Sequence, residues 1–299
     1  MDEIARLPEE LLSAALALTT PLDACRAAAV SRAFRAAADS DAVWSCFLPR
    51  DLPPLADGEL DGPARPPSKK RGFLRLSGRP ALLADGLRSV WLDRETGAKC
   101  YMLSARSLNI AWDDHPWYTR WIPITGCSFS EANELLHICW LEIRGKMDSK
   151  MLSQSSTYGA YIIFKVAPKA CGLDSPIQKT SISLGASKST RRVCIDGYDG
   201  DGDDRATEFH HPNVAWRPLR PNRRNRHEIP ENVLLPQQRA DGWMELEMGE
   251  FYNDQGEDGE ICISLTETSP TLKVGLIVQG IEIRPKKQCW LAFGCKQID

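Results

Sequence analysis

The sequence predicts an α+β protein of two modules, a small helical module followed by an all-β antiparallel sandwich or jelly roll. Residues 7–49 have the character of helix almost throughout, and residues 51–72 are rich in Pro and Gly. Later segments alternate apolar and polar residues with the period of two that half-buried strands show. Because linkers usually separate modules, we expect a helical module over 4–49, a connecting segment over 50–90 and a β module over 91–290.

Three helices are predicted in the first module. The first begins near Pro8, and the second begins where Thr20 can cap a helix whose first position is Pro21. The third begins at Ser31. A short last turn follows and ends before Pro49.

These helices are rich in Ala but carry more large apolar side chains than their own interior can bury. Such a surplus is offered either to a partner protein or to the β module, and both uses stay open on the pattern alone. The Pro- and Gly-rich stretch favours separate modules and therefore a partner. The candidate partner-binding residues are Leu7, Pro8, Leu11, Leu12, Leu16, Leu22, Val30, Phe34, Val43 and Trp44.

Five segments carry the strand pattern of the β module, and one short helix is predicted before them at Ser130–Leu136. "YGAYIIFKV" is apolar on both faces, as a central strand would be, and "EICISL" is apolar on one face only. The other three segments are "LHICWLEI", "WMELEMGEF" and "KVGLIVQGIEIRP". "SEANELL" has an N-cap residue followed by good helix formers.

An irregular insertion near 185–240 holds an acidic run and then a basic run. Asp199, Asp201 and Asp203 alternate as in a calcium loop, but Asp204 stands where that loop needs Gly and His210 where it needs an acid. The basic run, over 217–226, has little of the aromatic interleaving of single-strand nucleic-acid sites. We interpret the insertion as a solvated loop, and predict no metal and no cofactor.

Composition limits the partners and the compartment. The net charge of −3 gives no global attraction to nucleic acid or anionic membrane. No apolar run approaches the roughly 20 residues of a membrane span, and the acidic N-terminus lacks the apolar region of a secretory signal. The ten cysteines include no CxxC pair, which fits a reducing compartment. We therefore expect neither a nucleic-acid nor a membrane partner, and location in cytoplasm and nucleus.

The segment "LNIAWDDHPWYTRW" concentrates aromatic residues. Its aromatic residues are Trp112, Trp117, Tyr118 and Trp121. An indole face can stack on the apolar face of a sugar ring, while Asp113 and Asp114 could accept hydrogen bonds from its hydroxyls. The alternative is that these aromatic side chains fill the sandwich core, where most Trp residues lie.

The helical module resembles an F-box. The resemblance covers roughly residues 4–49 and rests on "LPEELL", "DACR", "VSRAF" and the late "VW". It implies a three-helix module that docks on a Skp-type adaptor through the candidate partner-binding residues, and through that adaptor on a cullin-based ubiquitin ligase.

The β module resembles the phloem protein 2 family of plants, the Nictaba-type lectins. The resemblance runs from about Cys100 to Pro285 and rests on "YMLSARSLNIAW", "WYTRW", "CWLEIRGKM", "YGAYIIFK", "DGWMELEMGEF" and "GLIVQGIEIRPK". It implies a β-sandwich of jelly-roll type, and binding of glycans that contain N-acetylglucosamine.

Only some of the family's glycan-binding residues have a match in this sequence. Trp112 matches a family Trp tied to sugar binding, whereas Thr119 stands where a second Trp is usual. Trp121 keeps the last Trp of the family's YWxW pattern, in which Thr119 takes the place of the first Trp. Two carboxylates of lectin members match Glu250 and Glu257. The candidate glycan-binding residues are thus Trp112, Trp117, Tyr118, Trp121, Glu250 and Glu257.

These patterns and the two resemblances lead to three functional hypotheses. The leading hypothesis is a non-catalytic substrate receptor of a cullin-based (SCF-type) ubiquitin ligase, with the sandwich selecting a glycoprotein or another protein. The alternative is a carbohydrate-binding stress or defence lectin that acts without a ligase. An enzyme is disfavoured because the sequence has no phosphate loop, metalloprotease motif or nucleophile elbow, and Glu245 and Glu247 fall on a solvent-facing strand face.

Overall fold

The structure, a computed structural model, describes residues 7–59, 68–197, 230–254 and 259–286. Helices dominate the N-terminal part and strands the remainder of these residues. The helices are α1 (Glu9–Ala17), α2 (Pro21–Ala27), α3 (Arg32–Asp39), α4 (Asp41–Phe47) and α5 (Lys69–Gly78). The α+β class is therefore confirmed.

The predicted helix starts are borne out by their caps. The Thr20 hydroxyl accepts a hydrogen bond from the Asp23 amide at 3.1 Å, and the Ser31 hydroxyl accepts one from the Phe34 amide at 3.3 Å. The expectation of a final turn after three helices was wrong, because residues 41–47 form a fourth helix. Its apolar residues gain burial by packing against α1 and α5.

Fifteen strands lie in the described residues. They are β1 (Ala81–Leu82), β2 (Arg88–Leu92), β3 (Lys99–Ser104), β4 (Asn109–Ile110), β5 (Thr119–Pro123), β6 (Glu131–Leu135), β7 (Leu141–Asp148), β8 (Ser156–Cys171), β9 (Gln178–Leu184), β10 (Ser187–Val193), β11 (Val233–Leu234), β12 (Gln237–Gln238), β13 (Met244–Asn253), β14 (Glu260–Glu267) and β15 (Val274–Pro285). The predicted strands at 158–166, 243–251, 260–265 and 273–285 are present, and only the last part of "LHICWLEI" is strand.

These strands form two sheets. The nine-stranded sheet has the order β1-β2-β3-β15-β8-β13-β12, with β6 also paired to β15 and β5 paired to β6. The six-stranded sheet has the order β11-β10-β9-β14-β7-β4. Neighbours are antiparallel except β10 and β11, which pair parallel and so depart from the predicted all-antiparallel arrangement.

The two sheets enclose one apolar core. Ile162 and Ile281 of the larger sheet and Ile143 and Ile263 of the smaller sheet are at most 1% exposed. The sheets approach closely at Gly145, where a Cβ would come within 3.2 Å of the Ile281 side chain. The core therefore fixes the distance between the sheets and holds the strand ends from which the surface turns project.

The short helix expected at 130–136 is absent, because residues 131–135 form β6 between β5 and β15. In this strand Ala132, Asn133 and Leu135 are fully buried. Local helix propensity is weak compared with the burial and strand pairing gained here, so tertiary context decides the conformation.

The connecting segment is also more structured than expected. Besides α5 it contains β1, and it includes the start of β2. The Ser68 hydroxyl caps α5, whose Phe73 and Leu76 are 2% exposed and belong to the core that the helices share with the sandwich. The expectation that the helical module stands apart from the sandwich is therefore wrong: α5 joins the two by packing on both α4 and β2.

Some sequence interpretations fall outside the described residues. They are the acidic residues after Asp196, the whole basic run at 217–226, and Glu257.

Candidate functional site

The aromatic turn, which we define as residues 112–118, lies at the surface. Trp112 is 51% exposed, Trp117 75% and Tyr118 38%. The alternative that these side chains fill the sandwich core is therefore wrong for Trp112, Trp117 and Tyr118. An exposed group of large aromatic side chains is typical of a binding surface.

The backbone conformation of Trp112 is what turns its side chain outward. Ile110 points into the core, so strict alternation along an extended chain would return Trp112 to the same side. Instead Trp112 has a φ of 69°, in the left-handed region that bulky residues rarely adopt. Strain of this kind is stored preferentially at binding and catalytic sites.

Thr119 holds the aromatic turn closed. Its side chain is buried, and its hydroxyl lies 3.3 Å from the Trp112 carbonyl and 3.2 Å from the Asp113 carbonyl, either of which can accept its hydrogen bond. The Leu136 amide donates to the Tyr118 carbonyl at 2.8 Å and ties the end of the turn to the sandwich. The residue that replaces the usual Trp therefore positions the other aromatic residues.

The rings of the aromatic turn lie close together without stacking face to face. The Trp112 and Tyr118 ring centres are 5.4 Å apart with planes inclined by 52°, and His115 lies 5.0 Å from Tyr118. Burial, and then the charge of Asp114, raise the pKa of the Asp113 carboxyl. The turn thus offers flat apolar faces on which a sugar ring can stack, beside two carboxyl groups that can accept hydrogen bonds from its hydroxyls.

Trp121 differs from its neighbours. It is partly buried against the core, and the Arg106 guanidinium lies 3.6 Å from its ring centre. Arg106 is held there by Glu131, whose carboxylate accepts at 2.7 Å. With one face covered by Arg106, Trp121 supports the surface rather than presenting an open ring.

Glu250 is not brought to the aromatic turn. Glu250 of β13 pairs with Gly159 of β8, which in turn pairs with Arg284 of β15. Thr119 of β5 pairs with β6, and the β6–β15 register places it near Leu276 of β15. Leu276 and Arg284 are eight residues apart along β15, which is roughly 25 Å at the usual rise per strand residue. One sugar residue cannot contact both.

The carboxylates of β13 are engaged by cations. Lys286 donates to Glu250 at 2.9 Å, and this bond lowers the pKa of the Glu250 carboxyl. Burial raises the pKa of Glu245, but hydrogen bonds and charge from Arg284 and Arg239 outweigh it and leave that pKa lowered. Neither carboxyl has the raised pKa of a glycosidase general acid.

The candidate partner-binding residues of the helical module fall into three groups. Leu7, Pro8, Leu11 and Val30 are exposed, with Leu11 at 57% and Val30 at 70%. Leu22 and Phe34 are half-buried. The sequence pattern did not single out Leu18, which is 89% exposed at the end of α1, two turns after Leu11.

The remaining four candidates are core residues. Leu12, Leu16, Val43 and Trp44 are at most 5% exposed, so the expectation that they offer side chains to a partner is corrected. Trp44 donates its indole N–H to the Ala38 carbonyl at 2.6 Å and packs on Phe47. The extra apolar residues of this module are thus shared between an internal core and an exposed face.

Two further features are absent from the described ranges. None of their helices is long and apolar enough to cross a membrane. Residues 7–59, 68–197, 230–254 and 259–286 contain no group of three or more His, Cys, Asp or Glu side chains suited to hold a metal ion.

Comparison with protein-family models gives two matches. The phloem protein 2 model matches residues 98–285, and the F-box-like model matches residues 4–50. The first covers the strands of both sheets apart from β1 and β2, and the second covers α1 to α4.

Curated relatives match over nearly the whole chain. F-box protein PP2-B10 of Arabidopsis thaliana is 38% identical over 285 residues, which are 94% of this chain and 93% of that protein. Putative F-box protein PP2-B2 of the same plant is 39% identical over 284 residues, 94% of this chain and 83% of the relative.

Proposed function

The chain belongs to the phloem protein 2 family and carries an F-box-like module before that domain, and from this premise we propose that it is a substrate receptor of a cullin-based (SCF-type) ubiquitin ligase. Its helical module would dock on a Skp-type adaptor, which links it to the cullin. Its sandwich would bind the target through the aromatic turn. The receptor itself needs no catalytic group or cofactor, because its task is to hold the target near the transferred ubiquitin.

The exposed apolar face of the helical module carries this proposal. Leu11 lies in α1, Leu7 lies just before this helix and Leu18 just after it, and Val30 adds a fourth large apolar side chain between α2 and α3. At about 25 cal/mol per Å², covering such side chains contributes several kcal/mol to association. An exposed apolar face of this kind is typical of a protein-binding surface.

The joint between helices and sandwich supports the same role. Phe73 of α5 packs on Trp44, and a Cβ at Gly97 would come within 3.3 Å of the Pro21 side chain. The Lys99 side chain is only 4% exposed, and its ammonium pairs with Asp51 at 2.7 Å. A packed joint holds the target-binding end at a fixed distance from the adaptor, as presentation to a ubiquitin-transferring subunit requires.

The target is proposed to be a glycoprotein recognised through N-acetylglucosamine. Trp112, Trp117 and Tyr118 supply apolar faces, and Asp113 and Asp114 supply acceptors for sugar hydroxyls. Both compartments expected from the cysteine pattern, cytoplasm and nucleus, are compatible with such a receptor.

Co-purification with a Skp-type adaptor tests the receptor role. We expect the double variant Leu11→Ala/Val30→Ala to weaken adaptor binding at least about tenfold, because each loses exposed apolar area at the contact. The matched control is Leu87→Ala/Leu272→Ala, which removes similar area from leucines that are 40% and 45% exposed and lie outside the helical module. Equal adaptor binding by both double variants would refute this assignment of the face.

A second function is favoured by the aromatic turn alone. Its exposed rings would bind carbohydrate whether or not an adaptor is attached, which is the activity of a stress or defence lectin. Glycan binding by a chain that captures no Skp-type adaptor in plant extract would favour this function over the receptor.

A further inference from the structure

Another exposed tryptophan lies next to the aromatic turn, on the solvent face of the six-stranded sheet. Trp140 precedes β7 and is 49% exposed. Leu141 and Ile143 point into the core, so residues 140, 142 and 144 share the outer face. The sequence pattern placed Trp140 on a strand face but did not connect it with the segment at 108–121.

Strand pairing brings the two aromatic elements together. In the β4–β7 ladder Asn109 faces Arg144 and Ile110 faces Ile143. The ladder extends one residue further, because the Ala111 amide donates to the Glu142 carbonyl at 2.9 Å. Trp112 therefore leaves the sheet about one strand spacing, 5 Å, from the backbone that leads to Trp140.

The indole of Trp140 is fixed by a carboxylate. Its N–H donates to Glu142 at 2.9 Å, and Arg144 forms an ion pair with the same carboxylate. The bond from Trp140 is the main reason why the pKa of the Glu142 carboxyl is lowered. A carboxylate has about four acceptor positions, so Glu142 keeps capacity for ligand hydroxyls beside the open indole face.

The backbone before Trp140 is anchored rather than loose. Lys273 is fully buried, and its ammonium donates to the Cys139 carbonyl at 2.5 Å. The Lys273 and Ile138 backbones exchange two hydrogen bonds, of 2.7 and 3.1 Å. A ring held in this way loses little conformational entropy when it binds a ligand.

From these observations we propose that Trp140 and Glu142 form a second sugar subsite that continues the aromatic turn. The ligand class is an oligosaccharide long enough to stack one residue on the aromatic turn and a later residue on Trp140. Glu142 and Arg144 contact the hydroxyls of that later residue. This inference rests on the proposed carbohydrate binding and adds a requirement for ligand length.

The test measures the affinity of the full chain for N-acetylglucosamine oligomers of one, three and five residues. We expect wild type to bind the longest oligomer most tightly. Trp140→Ala should weaken pentamer binding about tenfold and leave monomer binding unchanged, since tenfold corresponds to about 1.4 kcal/mol, near the upper end for one aromatic stacking contact. Trp112→Ala should weaken binding at every length.

Tyr252→Ala is the matched control, because Tyr252 is an exposed aromatic residue of β13, in the larger sheet. It should bind every oligomer as wild type does. Glu142→Gln should keep a neutral acceptor and lose less affinity than Trp140→Ala. Thermal denaturation of each variant verifies folding.

Different outcomes separate the two claims. If Trp140→Ala binds the pentamer as wild type does while Trp112→Ala loses affinity, the second subsite is refuted and carbohydrate binding by the turn stands. If wild type binds no oligomer, both the carbohydrate arm of the proposed function and the second subsite are refuted.

Discussion

The indole ring of Trp44 and the phenyl ring of Phe73 lie 5.2 Å apart, with their planes inclined by 53°. The two residues belong to α4 and α5, and each is at most 2% exposed. This contact joins the last helix of the F-box region to the helix that packs on β2.

The first prediction concerns this contact. Phe73→Ala should lower the free energy of unfolding by about 3–5 kcal/mol, because it opens a cavity where the helical module meets the sandwich. Limited proteolysis should then cut between residues 50 and 80 faster than in wild type, and denaturant unfolding should show an earlier loss of helix signal. Leu74→Ala, at a neighbouring position that is 49% exposed, is the control and should behave as wild type. An unchanged cleavage rate in Phe73→Ala would contradict the role of the contact.

Sequence reasoning found the features that depend on local chemistry. Thr20 and Ser31 cap helices because a short hydroxyl side chain reaches the third following amide, and that relation is visible in four consecutive residues. The inward residues Ile261, Ile263 and Leu265 follow from alternation alone.

Long-range contacts account for what sequence reasoning missed. Residues 131–135 become a strand through pairing with β15, more than 140 residues away. The connecting segment becomes part of the core because Phe73 meets Trp44. Similarly, only the β4–β7 ladder reveals that Trp140 neighbours the aromatic turn. Periodicity reports which face a side chain occupies but not which element covers it.

The second prediction concerns the buried Lys273–Glu267 ion pair. Lys273→Met should lower the free energy of unfolding by about 3–5 kcal/mol, because the Glu267 carboxylate loses its cationic partner in the interior. Lys273→Met/Glu267→Gln removes that charge and should recover part of the loss, as measured by denaturant unfolding. A double variant less stable than Lys273→Met would contradict this explanation.

The pair also predicts the sign of a pH effect. Burial raises the pKa of Glu267, but hydrogen bonds from Lys273 and Ser269 outweigh it, so the folded pKa is lowered. The stabilisation is therefore fully present above the unfolded pKa of about 4.3 and is lost as the pH falls through the folded value. In Lys273→Met the pKa of Glu267 should instead be raised by burial, and its contribution to stability should decrease as the pH rises.

The third prediction uses the raised pKa of Asp113. If the Asp113 carboxylate accepts a sugar hydroxyl, oligomer binding should weaken on acidification, with a midpoint above the ordinary aspartate value of about 3.9. Asp113→Asn should remove this dependence. Asp114→Asn should lower the midpoint, because it removes the neighbouring negative charge that helps to raise the pKa of Asp113. A titration that is identical in the three proteins would exclude Asp113 from the binding site.

The fourth prediction tests whether Thr119 positions the aromatic turn. Thr119→Val keeps the shape of the side chain but removes the hydroxyl that reaches the Trp112 and Asp113 carbonyls. We expect a loss of about 1 kcal/mol in the free energy of unfolding, faster amide hydrogen exchange over residues 112–118, and weaker binding of every oligomer. The cause is that the left-handed conformation of Trp112 is no longer held in place.

Two further substitutions at this position separate positioning from ring stacking. Thr119→Ser retains the hydroxyl and should keep most of the affinity. Thr119→Trp restores the aromatic residue that lectin members usually have, but the site is only 4% exposed and has little room for an indole. Overpacking of this kind costs about 1–3 kcal/mol, so this variant should be less stable than wild type and bind sugar more weakly. Tighter sugar binding by Thr119→Trp would show instead that position 119 contacts the ligand. Thr119 would then weaken sugar binding rather than position the aromatic turn.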